Sequence, residues 1–270
     1  MSNAVELGCG LIAIGRKWGT TPEVPTDAEA QLFLRGAYQL GIRAFDTAPA
    51  YGSSEERLGT FLQTLALDPN LPAAEDDVLV ATKFGELWNP DTREAYTDHS
   101  ADAMMRSMDR SMSRLGGIGL LQLHKATIDV LSSKDLERAM NYAYGLEVGY
   151  YGVSVSDAKT ALFVIKENDW GFESIQLPYN QNKPEMQACI AEAQARGMQV
   201  LVNRPFEMGA ITQATDKCTQ SEQAYRYILQ AGFTVPYMAD NIPNLVLTGT
   251  ANLTHLKENI EAFELARTPA

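Results

Sequence analysis

The stretch Ile42-Arg-Ala-Phe-Asp-Thr-Ala-Pro-Ala-Tyr51-Gly52 begins as a short, strand-like apolar run and continues into an acid and a phenol. The same arrangement occurs twice more along the chain. The run Val78-Leu-Val-Ala-Thr-Lys83 ends in an amine, and Ile118-Gly-Leu-Leu-Gln-Leu-His124 ends in an imidazole. If these runs are consecutive parallel strands, their carboxyl ends lie on one rim of one sheet. We therefore expect four side chains to converge there: Asp46, Tyr51, Lys83 and His124.

Strand-like and helix-like segments alternate along the whole chain. Runs such as Val78-Leu-Val and Val200-Leu-Val are continuously apolar, which is typical of parallel strands buried on both faces. The segment Thr26-Asp-Ala-Glu29 predicts a capping box at the start of the first long helix. The predicted strands are Gly8–Gly15, Ile42–Asp46, Val78–Lys83, Ile118–His124, Tyr150–Val155, Ser174–Leu177, Gln199–Asn203 and Leu245–Thr248.

Eight strand–helix units in 270 residues predict an α/β fold, namely a (β/α)8 TIM barrel. We expect residues 1–270 to form a single domain with its active site at the carboxyl ends of the strands. The alternative is a doubly wound open sheet, because Gly8-Cys-Gly10-Leu-Ile-Ala13 satisfies the spacing of a dinucleotide-binding turn. Gly15 and Gly19 follow at once, so no helix is expected to open there. Asp46 also lies too far along to be the acid of that motif, and we interpret the match as chance.

Composition excludes several classes of function. A formal net charge of −12 argues against binding a nucleic-acid backbone, which requires clustered cations. No run approaches the roughly 18 apolar residues of a membrane span. Three histidines and three scattered cysteines offer no metal-ligand spacing, so we expect no metal site. The first residues lack the pattern of a signal peptide and no apolar helix face demands a partner; we expect a cytoplasmic monomer.

The four rim residues suit proton delivery to a carbonyl. A free tyrosine has a pKa of about 10, and a buried ammonium beside it lowers that pKa. Asp46 can supply the counter-charge that a buried Lys83 needs, and His124 can donate a hydrogen bond to a substrate oxygen. No side chain delivers hydride, so a nicotinamide cofactor is implied. Taken singly, each residue is explained as well by a structural role, and the catalytic interpretation depends on all four occurring together.

Several motifs then resemble the aldo-keto reductase family. They are Phe45–Gly52 with Ser54-Glu55 and Leu58-Gly59, Ala81-Thr82-Lys83, Leu121–His124, Gly152-Val-Ser154, Gln176-Leu-Pro-Tyr179-Asn180 and Glu258-Asn259. The resemblance covers nearly the whole chain. It implies Tyr51 as general acid, Lys83 as the residue that tunes its pKa, Asp46 as the partner of Lys83, and His124 as the residue that orients the carbonyl.

The resemblance also implies a dinucleotide site, with departures from the family pattern. Val155 replaces an asparagine that usually helps to hold the nicotinamide, and Asn203 stands where a stacking aromatic is common. His255 replaces an arginine that grips the 2′-phosphate in many relatives, which should weaken selection for NADPH. We expect NADPH, with NADH possible. The predicted cofactor residues are Ser154, Gln176, Asn203, Arg204, Gly249, Thr250, Asn252, His255, Glu258 and Asn259.

Substrate and activity are less specified. Trp18, Phe84 and Trp88, with Phe206, are predicted to line a pocket for a small aldehyde, ketone or sugar. The leading hypothesis is an NAD(P)H-dependent carbonyl reductase, or the reverse alcohol or sugar dehydrogenase. The alternative is a regulatory or low-activity protein that keeps the barrel and binds the cofactor. A metal-dependent barrel hydrolase is a third class, and the scattered histidines argue against it.

Overall fold

The fold is known from a computed structural model that describes residues 5–19, 23–67, 78–211, 217–234 and 242–268, without the side chains of 217–219. Eight parallel strands close into a barrel in the order β1-β10-β9-β8-β7-β6-β3-β2. The predicted (β/α)8 barrel is thereby confirmed, and the open doubly wound sheet is excluded. The barrel strands are β1 (Val5–Gly10), β2 (Ala44–Asp46), β3 (Leu79–Phe84), β6 (Ile118–Leu123), β7 (Val148–Ser154), β8 (Ser174–Pro178), β9 (Gln199–Asn203) and β10 (Asn244–Gly249).

Helices surround the barrel. The predicted capping box is present at the first long helix, where the Glu29 backbone N–H donates to Thr26 Oγ1 at 3.3 Å and the Thr26 backbone N–H donates to Glu29 Oε2 at 2.8 Å. The helices are α1 (Ile12–Gly15), α2 (Asp27–Gln39), α3 (Ser54–Leu67), α4 (Ala101–Leu115), α5 (Ile128–Leu131), α6 (Lys134–Ala143), α7 (Ala158–Glu167), α8 (Gln187–Ala195), α9 (Lys217–Leu229) and α10 (Leu253–Arg267).

The first strand differs from its prediction. We expected a strand over Gly8–Gly15, but β1 ends at Gly10 and Ile12–Gly15 form the helical turn α1. Ala13 and Ile14 are buried in that turn. A short apolar run looks alike in a strand and in a buried helical turn, which explains the error.

The segment after β3 also differs from its prediction. From the sequence we predicted no strand between Lys83 and Ile118. Instead, β4 (Glu86–Asn89) and β5 (Glu94–Thr97) pair as an antiparallel hairpin outside the barrel, with Trp88 opposite Ala95. The hairpin contacts the turn Pro49–Tyr51 that follows β2, and Glu86 and Trp88 lie on its first strand.

The barrel interior is apolar below and polar at the carboxyl rim. A small cluster that includes Ala44, Ala81, Leu120, Leu201 and Leu245 fills the lower interior, as the layered packing of such barrels requires. A larger apolar cluster lies between the strands and the helices. The apolar floor supports the polar side chains at the rim from below.

The described residues contain no helix long and apolar enough to cross a membrane. In the same part of the chain, no group of three or more histidine, cysteine, aspartate or glutamate side chains is placed to hold a metal ion. Cys9 and Cys189 are buried free thiols, and the side chain of Cys218 lies outside the described set.

Candidate active site

Lys83 and Asp46 form a buried ion pair at the rim. Lys83 Nζ lies 2.7 Å from Asp46 Oδ2, and the two side chains are 0% and 5% exposed. The same ammonium donates to the backbone carbonyl of Thr47 at 2.8 Å. Burial acts to lower the pKa of Lys83, but Asp46 and the nearby phenol of Tyr51 outweigh burial and raise the pKa above its ordinary value. Lys83 is therefore a fixed positive charge at neutral pH.

Two amide side chains hold the second oxygen of Asp46. Gln176 Nε2 donates to Asp46 Oδ1 at 2.9 Å, and Gln122 Nε2 donates to it at 3.3 Å. Gln176 Oε1 in turn accepts from the Ser154 hydroxyl at 3.1 Å. Gly152 makes room for this layer, since a Cβ at that position would overlap the Ser174 hydroxyl. The carboxylate of Asp46 is thus fixed from three strands besides its own.

Tyr51 ends a single 3-10 turn, Pro49–Tyr51, that follows β2. Gly52 leaves this turn with φ +64°, and a Cβ there would overlap the backbone carbonyl of Gly15. The close approach of α1 to this turn therefore depends on glycine. The Lys83 ammonium lies 4.8 Å from the centroid of the Tyr51 ring. The local backbone thus places the Tyr51 ring beside the Lys83–Asp46 ion pair.

The acidity of Tyr51 differs from expectation. Burial, the largest influence, raises the pKa of the phenol above its ordinary 10.0, and Asp46 and Glu86 raise it further. The Lys83 ammonium lowers the pKa, as the sequence predicted, but it offsets only part of the rise. In the free protein the phenol is therefore protonated at neutral pH, which suits a proton donor.

His124 directly follows β6 and faces the cavity beside Tyr51. The two rings lie edge to face, with centroids 6.0 Å apart. The His124 backbone N–H donates to the Phe84 carbonyl at 2.8 Å, and His99 Nε2 lies 2.8 Å from the His124 carbonyl. Burial, followed by the charge of Lys83, lowers the pKa of the His124 imidazole well below 6.5. The ring is therefore neutral at pH 7 and carries one N–H.

Glu86 is a buried acid beside His124 that sequence reasoning missed. Its Oε2 lies 3.1 Å from His124 Nδ1, although the angles of that contact fall outside those of a hydrogen bond. Gln122 was missed as well. A polar residue within the apolar strand Ile118–Leu123 was a usable signal for Gln122, because it points into the barrel two positions before His124. Glu86 had no such signal, because no strand was predicted over Glu86–Asn89.

Arg16 is a further residue that the sequence analysis missed. It follows α1 and lines the cavity, with its guanidinium carbon 5.3 Å from the Trp18 ring centroid and 5.5 Å from that of Trp88. Trp18 lines the cavity as predicted. Trp88, for which the same was predicted, is not among the described lining residues and contacts Arg16 instead. The prediction for Phe84 is wrong: its side chain is fully buried in the cluster between strands and helices, because the residue after Lys83 points out of the barrel.

One cavity of about 1490 Å³ extends from Tyr51 and His124 to the start of α10. It exceeds the roughly 300–1,000 Å³ of a site for one small ligand, so it has room for a larger ligand. All ten predicted cofactor residues line it, as does Phe206. Asn203 Oδ1 is buried there without a hydrogen-bond partner among the described residues, as expected of a group that waits for a ligand.

The far end of the cavity depends mainly on backbone and capping groups. Asn252 caps α10, since its Oδ1 accepts from the backbone N–H groups of Thr254 at 2.8 Å and His255 at 3.2 Å. Asn259 Nδ2 donates to Thr248 Oγ1 at 2.8 Å. No acid occupies the first turn of α10, so the positive end of the helix dipole is not neutralised there. These residues fit a phosphate-bearing group.

The chain is similar to known proteins in sequence and in fold. The profile of the Aldo/keto reductase family matches residues 6–223. L-galactose dehydrogenase of Arabidopsis thaliana is 24% identical over 281 residues, covering 95% of this chain and 83% of the relative. D-threo-aldose 1-dehydrogenase from a Pseudomonas species is 38% identical over 140 residues, covering 44% of this chain and 39% of the relative.

A solved structure shows the same fold. The holo form of an aldo-keto reductase from Bacillus halodurans superposes with a TM-score of 0.74 at 20% identity, covering 98% of this chain and 88% of that one. The family profile spans most of the chain and includes the strands that bear Asp46, Lys83 and His124. The chain therefore belongs to the aldo/keto reductase family of oxidoreductases.

Proposed function

We propose that the chain reduces small carbonyl compounds with a nicotinamide dinucleotide, or oxidises the corresponding alcohols or sugars, with Tyr51 as the proton donor and acceptor. The observation that carries this proposal is the buried Lys83–Asp46 pair, whose ammonium lies 4.8 Å from the Tyr51 ring centroid. A fixed positive charge there stabilises the phenolate that forms when the proton leaves.

Each remaining residue has a proposed part in this chemistry. Asp46 fixes Lys83, and Gln122 and Gln176 in turn fix Asp46. His124, neutral at pH 7, donates its N–H to the substrate oxygen and holds the carbonyl beside the phenol. Because the phenol is protonated in the free protein, its proton is already in place for reduction.

The dinucleotide supplies hydride when it is bound. We propose that Ser154 and Gln176 lie beside its nicotinamide end, where both already form hydrogen bonds within the protein. Asn203 and Arg204, after β9, and Gly249 and Thr250, after β10, would hold its phosphate-bearing end. The remaining candidates there are Asn252, His255, Glu258 and Asn259. We favour NADPH because Arg204 lines the cavity as a cation, and NADH stays the alternative.

Two relatives direct the search for a substrate. L-galactose dehydrogenase and D-threo-aldose 1-dehydrogenase are named for aldoses, so sugars join simple aldehydes and ketones as candidates. Trp18 offers a flat face at the cavity wall, which suits the apolar side of a sugar or a short chain.

Replacement of Tyr51 tests the proposal. Tyr51→Phe removes the hydroxyl that carries the proton, and we expect turnover of an aldehyde to fall about 10²–10⁴-fold. Nucleotide binding, followed by quenching of tryptophan fluorescence on titration with NADPH, should stay within about twofold of wild type. Tyr96→Phe is the matched control, because it removes one hydroxyl from an exposed tyrosine on the hairpin.

The same measurements separate the competing function. A regulatory or low-activity protein would bind NADPH in all three forms of the protein and turn over no aldehyde in any of them. Val155 and Asn203, two departures from the family pattern in the proposed cofactor site, are the features that favour this alternative. Equal turnover in Tyr51→Phe and wild type would contradict the proposed mechanism.

A further inference from the structure

Arg16 is a cation on the wall of the cavity near the proposed reaction centre. Its guanidinium is close enough to Tyr51 and Glu86 for both groups to raise its pKa, while burial, the larger influence, lowers that pKa. The tryptophans Trp18 and Trp88 lie 5.3 Å and 5.5 Å from its central carbon. Cation–π contacts at such distances hold a guanidinium in place and leave its N–H groups free to donate.

Among the residues that the structure describes, the protein does not provide an acceptor for every N–H donor of Arg16. Its Nε is buried and has no hydrogen-bond partner within the described ranges. No ion pair joins Arg16 to a carboxylate in that part of the chain, and Glu86 lies against His124 instead. The described part of the protein therefore leaves at least one donor of this guanidinium without an acceptor, and a buried donor without an acceptor is unfavourable.

Among the other charges at this end of the cavity, Glu86 is a buried acid beside the neutral His124 and acts on Arg16, while the rest are paired or more exposed. Asp46 is paired with Lys83, while Arg93 is exposed on the hairpin turn between β4 and β5. The chain as a whole carries a formal charge of −12, which repels anions from a distance. At physiological salt that repulsion is screened beyond about 8 Å, so a bound anion responds mainly to the charges inside the cavity, of which Arg16 is one.

We propose that Arg16 selects carbonyl substrates that carry a carboxylate, by donating to the carboxylate oxygens while the carbonyl lies at Tyr51 and His124. A guanidinium presents two parallel N–H groups that match a carboxylate, and its single charge balances a single negative charge. The inference refines the proposed carbonyl chemistry and rests on it for the reaction, although carboxylate binding by Arg16 can be measured without turnover.

The test compares succinic semialdehyde with butanal, two four-carbon aldehydes that differ in a carboxylate against a methyl group. In wild type we expect kcat/KM to be at least about tenfold higher for succinic semialdehyde. Arg16→Met should abolish that preference through a higher KM for the acid, with butanal little changed. Arg16→Lys, which keeps the charge and loses the fork, should retain part of the preference. Arg93→Met removes a nearby charge and serves as the control.

A second readout does not depend on catalysis. The reduction product of succinic semialdehyde, 4-hydroxybutyrate, is titrated while tryptophan fluorescence is recorded, since two of the three tryptophans, Trp18 and Trp88, flank Arg16. A saturable signal in wild type and Arg93→Met, absent in Arg16→Met, supports the inference even if no aldehyde is reduced. In that case only the proposed function would fail.

Three results would overturn the inference. One is an equal loss of activity with both aldehydes in Arg16→Met, which would make Arg16 structural. Another is an equal loss of the preference in Arg93→Met, which would indicate general electrostatics. The third is a stronger Arg16-dependent preference for glyceraldehyde 3-phosphate over glyceraldehyde, which would assign the site to phosphate.

Discussion

The two ends of the cavity are built in different ways. At the Tyr51 end, the charged groups Lys83 and Asp46 are buried on neighbouring strands and joined at 2.7 Å. At the α10 end, His255 and Glu258 are exposed, and the Asn252 cap organises the first turn. The Tyr51 end is therefore fixed by an ion pair between side chains. The α10 end is fixed by backbone N–H groups and the side chain of Asn252 that caps them.

This difference indicates how each end tolerates change. A buried ion pair leaves an uncompensated charge when one partner is removed, so the Tyr51 end should lose both stability and activity. At the α10 end most of the side chains are exposed, and water can replace the contacts of any one of them. Replacing one residue there should therefore remove only part of the affinity for nucleotide. The resemblance stated from the sequence has the same form: the four rim residues match the motifs it rests on, and the departures lie among the predicted cofactor residues and their neighbours.

The largest expected effect is at Lys83. Lys83→Met leaves the Asp46 carboxylate buried without its cation, and we expect the free energy of unfolding to fall by about 3–5 kcal/mol. Urea denaturation measures this loss. The double variant Asp46→Asn/Lys83→Met removes both charges and should recover most of the stability while remaining inactive. If the single variant unfolds at the urea concentration of wild type, the pair does not stabilise the rim.

A smaller effect is expected at Arg204, which lines the cavity after β9. Arg204→Ala removes a cation that we assign to the phosphates, so the Kd for NADPH should rise about tenfold. The rise for NADH should be smaller if Arg204 contacts the 2′-phosphate, and equal if it contacts the pyrophosphate. Fluorescence titration with both nucleotides measures this, with His255→Asn as a variant of the exposed face. An unchanged Kd for both would remove Arg204 from the site.

The smallest effect concerns pH. The folded protein keeps His124 neutral, because burial holds its pKa well below 6.5, whereas an unfolded histidine gains a proton near pH 6.5. The unfolded state therefore binds more protons as pH falls below about 6.5, and this histidine destabilises the fold by at most about 1.4 kcal/mol per pH unit. His124→Asn should flatten that dependence in urea denaturation at pH 5 to 7, and His255→Asn should not. Equal slopes in wild type and His124→Asn would contradict the buried, neutral ring.

The sequence predicted what depends on position along a strand. Asp46, Lys83 and His124 each close an apolar run, and the parallel barrel brings such positions to one rim whatever the details of packing. The eight strands were found for the same reason, because apolar runs and turns alternate regularly. The capping box at Thr26 was also found, since it depends on a few adjacent residues.

The sequence did not predict what depends on contacts between distant segments. The face on which Phe84 lies follows from the register of β3, and one position separates a barrel interior from a helix-packed core. Arg16 follows a helical turn that was taken for a strand, and its tryptophan neighbours come from two separate segments. The net rise in the pKa of Tyr51 depends on burial, which has no signature in a single motif.

The most direct test measures nucleotide binding and carbonyl reduction one after the other in the same sample of wild-type protein. In the first step NADPH is titrated to saturation while tryptophan fluorescence is followed. In the second step an aldehyde is added in excess over the NADPH while absorbance at 340 nm is recorded. The account predicts saturable binding followed by stoichiometric oxidation of the bound NADPH. If NADPH binds but neither succinic semialdehyde nor butanal causes its oxidation, the result would contradict the proton-delivery role of the four rim residues.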